Sequence, residues 1–164
     1  MDKKQIPKCQ KLHKNKACFN RKKQLVKLQN GEYISLAKVE TTLATHPLVE
    51  MACVVANSLK NLPVSIVVPD FEQLSEMTNN ENSDVMSREQ LCQDKKVKEA
   101  VVTALTSHLK DRGFERYEMP MAYCLVADGP WTPETGLVTG AMKLRRRQIE
   151  AKYSQEIEDM YQPK

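Results

Sequence analysis

Glycine is scarce in this 164-residue chain, at five residues, and aromatic side chains make up only 5%. A loop that cradles nucleotide phosphates uses several glycines at once, so a complete nucleotide-binding enzyme is not expected here. Few aromatics leave a base-stacking nucleic-acid surface poorly supplied, so nucleic acid is not the expected partner. The longest apolar runs, such as Met51–Ala56, fall far short of the ~20 residues of a membrane span. The N-terminus is too polar for the apolar core of a signal peptide. C-x-x-C pairs are absent, and the five cysteines (Cys9, Cys18, Cys53, Cys92, Cys124) are an odd number, which fits a reducing compartment. Cys9, His13 and Cys18 lack a fourth ligand and match no common zinc spacing, so no metal site is expected.

What is present fits a soluble globular domain: 41% hydrophobic and 28% charged residues, in a chain long enough for one ordinary domain. The net charge of +4 is unevenly placed. Residues 1–30 carry ten Lys/Arg against the single acid Asp2, and the rest carries 15 basic against 20 acidic residues. The basic character therefore belongs to the N-terminal end. Residues 1–18 read as a disordered, solvated tail, with contact to RNA or anionic lipid as the alternative.

Leu25–Leu28 reads as a short strand, and Asn30-Gly31 as a type I′ hairpin turn, which needs positive φ at both positions. Glu32–Ile34 would return. Ser35 reads as an N-cap, with Leu36, Val39 and Leu43 on one helix face and Pro47 as the stop. Val49–Ala56 and Val64–Val68 are β-branched-rich and read as an antiparallel pair. A helical segment near Phe71–Met77 leads into an Asn-rich loop at Thr78–Asp84. The strongest helix runs from Asp94 to Arg112, with Val97, Val101, Leu105 and Leu109 recurring every four residues and Gly113 as the C′ stop. Met121–Ala127 reads as a further strand, Asp128–Gly140 as a loop, and Arg146–Tyr161 as one last helix. Cys53 and Cys124 read as small core residues, and His46 and His108 as surface or capping residues. The fold class is α+β, a small, mostly antiparallel sheet with helices packed on it.

Three stretches stand out by order and spacing. The first runs from Asn20-Arg21-Lys22-Lys23 through Asn30-Gly31-Glu32-Tyr33 to Lys38-Val39-Glu40. The second is Glu115-Arg116-Tyr117-Glu118-Met119-Pro120. The third is Trp131-Thr132-Pro133-Glu134-Thr135-Gly136-Leu137-Val138-Thr139-Gly140-Ala141-Met142-Lys143-Leu144-Arg145-Arg146. Together they resemble the C-terminal domain of the long-chain acyl-CoA synthetases, the long-chain fatty acid–CoA ligases of the adenylate-forming, AMP-binding superfamily. The resemblance covers roughly residues 19–162. The Trp-Thr-Pro-Glu-Thr-Gly-Leu-Val-Thr run points to the long-chain branch.

This resemblance implies the mobile lid of a two-domain ligase. Such an enzyme joins a fatty acid carboxylate to ATP, giving acyl-adenylate and pyrophosphate. The lid then turns, and the thiol of CoA displaces AMP. Lys143 matches the adenylation lysine, Arg21 the arginine on the nucleotide ribose, Lys23 the hinge, and Gly31 the glycine beside the pantetheine path. A compact ammonium suits charge gathering on the α-phosphate, and a glycine leaves room for a passing thiol arm. Taken singly, each has a plainer reading. Lys143–Arg147 is a basic helix start, Asn-Gly hairpins are common, and Arg21–Lys23 extends the basic tail. Asn20 and Gln24 stand where the family has Asp, and Ala37 stands near a family Gly.

The resemblance also implies ATP with Mg2+ and CoA as co-substrates, no metal site on this part, and a cytoplasmic setting, peripheral to the endoplasmic reticulum membrane in the family. The family's N-terminal domain has no counterpart here, because a Lys-rich sequence stands upstream of Phe19. A chain that is inactive alone is therefore expected. The remaining alternatives are a non-catalytic module that docks on a full-length ligase, and an RNA- or membrane-surface binder.

Overall fold

A computed structural model describes residues 25–78 and 87–162. The basic segment 1–18, with Cys9, His13 and Cys18, and most of the Asn-rich loop after Thr78 lie outside the described residues.

The chain opens with a small hairpin, β1 (Leu25–Lys27) and β2 (Tyr33–Ser35), paired antiparallel. Helix α1 (Leu36–Leu43) follows directly and buries Leu36, Val39 and Leu43, the face expected from their spacing. Ser35 occupies the N-cap position, but its side chain makes no capping bond. Strands β3 (Val49–Val55) and β4 (Val64–Pro69) pair antiparallel, as their composition predicts. Strand β5 (Tyr123–Leu125) adds to β4 in parallel, giving the order β3-β4-β5. It is shorter than the expected Met121–Ala127. Parallel neighbours need a long crossover. Here α2 (Phe71–Thr78), α3 (Arg88–Gln93) and α4 (Lys95–Asp111) supply it.

The two-residue period of the central strands divides the core. Ala52, Val54 and Val67 face one apolar cluster, shared with α1 and with Val97, Val101, Leu105 and Leu109 of α4. Cys53, Val55, Ile66 and Val68 face a second cluster, built with Trp131, Leu137, Val138, Ile149 and Tyr153. The sheet is therefore sandwiched, and β4, buried at every residue, is its centre.

Helix ends follow local chemistry. The Asp94 carboxylate accepts from the Val97 N–H at 3.0 Å and caps α4. At its other end Gly113 takes φ +74°, so its N–H reaches the Lys110 carbonyl and the Phe114 N–H reaches that of Leu109. Those two bonds, with Phe114 packed near Leu109 in the core, form a Schellman stop. Helix α3 escapes the hydrophobic pattern because it is so short. Its signal is local: Ser87 and Gln90 form a reciprocal capping box.

The last helix is two. Helix α5 (Arg146–Lys152) ends at Tyr153, and α6 (Ser154–Tyr161) restarts after it. Tyr153 leaves helical geometry at φ −108°, ψ 30° and sits buried at the break. Among the described residues no helix is long and apolar enough to cross a membrane.

Candidate functional site

Lys143 stands on a tight loop closed by main-chain bonds. The Thr139 N–H donates to the Lys143 carbonyl at 2.8 Å, and the Met142 N–H to the Thr139 carbonyl at 2.8 Å. The Lys143 N–H reaches Thr139 Oγ1 at 3.2 Å. Val138 and Leu144 bridge below the tip, and the Arg145 N–H donates to the Leu137 carbonyl at 2.8 Å. Closing so short a turn forces Met142 to φ +55°, the one non-glycine positive φ among the described residues. A left-handed conformation costs an ordinary side chain roughly 1–2 kcal/mol. The ammonium of Lys143 is exposed and has no ion-pair partner among the described residues.

The loop is fastened at both ends. Behind it, Arg146 begins α5 and turns inward. Its Nη1 donates to Glu40 Oε1 at 2.7 Å and to the Val54 carbonyl at 2.7 Å, and its Nη2 donates to Glu40 Oε2 at 3.0 Å. Glu40 Oε1 also accepts from the Val54 N–H at 2.8 Å. Val54 lies on the outer edge of the sheet, so the carboxylate and guanidinium satisfy edge groups that no neighbouring strand reaches. Burial works against the Arg146 charge, yet Glu40 more than offsets it and raises the guanidinium above its ordinary range.

Ahead of the loop, Trp131 is 1% exposed. Its Nε1–H donates to the Tyr153 hydroxyl at 3.2 Å, and that hydroxyl donates to Asp128 Oδ2 at 2.7 Å. Lys152 pairs with the same carboxylate. The hydrogen bond from Lys152, then that from Tyr153, holds the Asp128 carboxyl below its usual range. Tyr153 thus has a reason to break the helix: its ring fills the core while its hydroxyl links Trp131 to Asp128 at the start of the loop.

Gly31 lies in the β1–β2 loop, on a different turn from the one expected. The Gly31 N–H donates to the Leu28 carbonyl at 3.0 Å, and the Leu28 N–H to the Glu32 carbonyl at 2.8 Å. Gly31 has φ +88°, but Asn30 is not among the positive-φ residues. This corrects the type I′ expectation: a type I turn is followed by a left-handed glycine in a three-residue loop. Asn30 Oδ1 instead accepts from the Glu32 N–H at 3.2 Å. A side chain at Gly31 would point into open space. The Lys143 loop repeats this hydrogen-bond pattern, with Met142 where the first loop has glycine.

No hydrogen bond or ion pair among the described residues joins the Gly31 loop to the Lys143 loop. A connection shorter than the covalent path runs from the hairpin through β2 and α1, whose Glu40 binds Arg146 just after the Lys143 loop. Arg21 and Lys23 lie outside the described residues, as do Asn20 and Gln24. In the second stretch, Glu118 is 9% exposed and pairs with Lys38 of α1 at 2.9 Å. His108 bonds the Thr42 carbonyl at 3.1 Å at the end of α1, a capping role. Burial pushes the Cys53 thiol up to about 12 and the Cys92 thiol up to about 11, which suits inert core residues.

Glu40 closes the first of the three stretches but receives no role from the sequence, and Asp128 and Tyr153 receive none either. The partners of their side chains lie 14 to 106 residues away, which leaves no local signal.

No family model matches the chain. It is 36% identical over 143 residues to "Long chain acyl-CoA synthetase 8" of Arabidopsis thaliana, a match that covers 87% of this chain and 20% of that protein. It is 38% identical over 145 residues to "Long-chain-fatty-acid--CoA ligase 4" of Saccharomyces cerevisiae, covering 87% of this chain and 21% of that one. The chain thus spans about a fifth of the length of the curated relatives it matches. Among solved structures, it is similar to the A domain of a carboxylic acid reductase from Segniliparus rugosus, in complex with AMP and a co-purified carboxylic acid. That likeness has a TM-score of 0.70 and 29% identity, over 86% of this chain and 20% of that chain. The adenylation domain of a Mycobacterium chelonae carboxylate reductase gives a TM-score of 0.71 and 26% identity, again over 86% and 20%.

Proposed function

We propose that this chain, which is homologous to the long-chain acyl-CoA synthetases over 87% of its length, works as the lid of a long-chain fatty acid–CoA ligase. In the first half-reaction the fatty acid carboxylate attacks the α-phosphorus of ATP and pyrophosphate leaves. Lys143 supplies the ammonium that neutralises charge growing on the phosphorus oxygens. In the second, the thiol sulfur of CoA attacks the acyl carbon and AMP leaves, with the Gly31 loop beside the thiol arm. From the family resemblance, Arg21 contacts the nucleotide ribose and Lys23 is the hinge.

The observation that carries this reading is the state of Lys143. Its ammonium is exposed and has no ion-pair partner among the described residues, yet its main chain is fixed by a closed loop tied into the core. A solvated surface lysine needs no such frame. The neighbouring donors are Arg145 and Arg147, which suit phosphate and repel a divalent cation, so Mg2+ enters with the ATP phosphates and is held elsewhere.

The test combines this chain with the separately made N-terminal region of a related long-chain ligase. Pyrophosphate exchange and acyl-CoA formation are then followed side by side. Lys143→Ala is expected to lower exchange by roughly 10²–10³, the usual effect of removing one charge-stabilising donor. Gly31→Leu is expected to spare exchange and block acyl-CoA formation. Because Gly31 needs a positive φ, Gly31→Asn serves as the control for backbone strain, since asparagine tolerates that region. Equal loss of both half-reactions in Gly31→Leu, with the fold intact, would remove Gly31 from the thiol path.

A further inference from the structure

We infer that Arg146, held by Glu40, is a positioning residue for Lys143: it fixes the loop that presents the ammonium against the edge of the sheet. This rests on the reading of Lys143 as the adenylation lysine.

Arg146 follows Lys143 by three residues and is the first residue of α5. The bonds within 138–145 close the loop on itself, and Leu137 and Val138, buried in the second core cluster, seat its N-terminal side. On its C-terminal side the polar grip on the body of the protein is the Arg146 guanidinium. It meets both Glu40 oxygens and the Val54 carbonyl, and lies 3.5 Å from Cys53 Sγ. A planar fork with this many partners admits one pose, which a lysine at the same position does not reproduce. Net stability explains the pair poorly, because removing two charges from water offsets most of what their attraction returns. Fixed geometry explains it better. Glu40 belongs to α1, which continues directly from the hairpin that carries Gly31. The clamp therefore ties the loops assigned to the two half-reactions into one body.

The 164-residue chain, labelled with 15N, gives the first measurement. Backbone order parameters near 0.85 are expected along 139–143 in the parent chain. Arg146→Gln and Glu40→Gln should each drop them below about 0.6 there, with strands β3 and β4 and helix α4 unchanged. A pair that merely adds stability would lower the melting temperature and leave the loop as ordered as before; that result overturns the proposal. If Arg146→Gln loses its cooperative melt, Arg146→Lys replaces it, since the charge stays but the fork is gone.

The second measurement uses the chain combined with the N-terminal region. Arg146→Lys should lower the kcat of pyrophosphate exchange at least tenfold, with the KM for ATP within twofold. An unchanged kcat also overturns the proposal. The two ideas fail separately. Should Lys143→Ala leave exchange intact, the ligase reading falls, whereas the order parameters still decide whether Arg146 fixes the loop.

Discussion

Ser65 illustrates how a single side chain departs from its surroundings. It lies in β4, the central strand of the sheet, 0% exposed, and its hydroxyl has no hydrogen-bond partner among the described residues. A buried unpaired hydroxyl costs about 1–3 kcal/mol. Ser65→Ala is therefore expected to stabilise the fold by about 1 kcal/mol, read as a higher urea midpoint at unchanged slope; a lower midpoint would mean that the hydroxyl is satisfied. Asp128 gives a pH test. Its carboxyl, held below its ordinary 3.8 by Lys152 and then Tyr153, contributes stability above that value. That contribution is lost as pH falls through the depressed folded value. The gap in unfolding free energy between the parent chain and Asp128→Asn should be open at pH 5–7 and close below about pH 3.8. A gap that stays constant down to pH 2 would remove the Lys152–Asp128–Tyr153 network as its source.

Among the elements, α4 carries the most legible pattern and the clearest consequence. Val97, Val101, Leu105 and Leu109 are all buried against the sheet. Leu105→Asp would put an unpaired carboxylate into that core, so the far-ultraviolet circular-dichroism melt should lose its cooperative transition at room temperature. An unchanged melt would contradict the packing of α4. Helix α4 could be read from sequence because a four-residue repeat, an aspartate cap and a glycine stop all agree. Strands β3 and β4 were legible for the same reason, since β-branched runs bounded by turn residues have few other uses. Three features were not. The α5–α6 break is set by Tyr153 reaching Trp131 and Asp128, and the 3.6-residue pattern continues across it. Helix α3 is too short for periodicity. The Asn30-Gly31 turn followed the glycine but not the asparagine, whose side chain reaches the Glu32 N–H instead of its backbone turning left-handed. In the candidate site, Lys143 and Gly31 stand out in the sequence only because three motifs are in register, and their roles belong to the proposed function. Glu40 stands in the first stretch, but its role was not legible because Arg146 lies 106 residues away.

At the scale of the whole molecule, a sheet with helices on both faces is a rigid carrier. The Lys143 loop and the β1–β2 hairpin project from it, and α1 with the Glu40–Arg146 clamp connects them. A lid that serves two half-reactions needs that combination: reactive groups on short loops, fixed to a body that turns without deforming. Positioning of reactants can supply ~7–11 kcal/mol of a barrier, so the proposed lid role predicts that exchange needs the N-terminal region as well. The most direct measurement is pyrophosphate exchange into ATP with a long-chain fatty acid, run on the 164-residue chain alone, on the N-terminal region of a related ligase alone, and on the two together. Exchange is expected to rise only in the mixture and to vanish again when the chain carries Lys143→Ala. Exchange by the N-terminal region that is indifferent to this chain, or to Lys143, would contradict its role as the ligase lid.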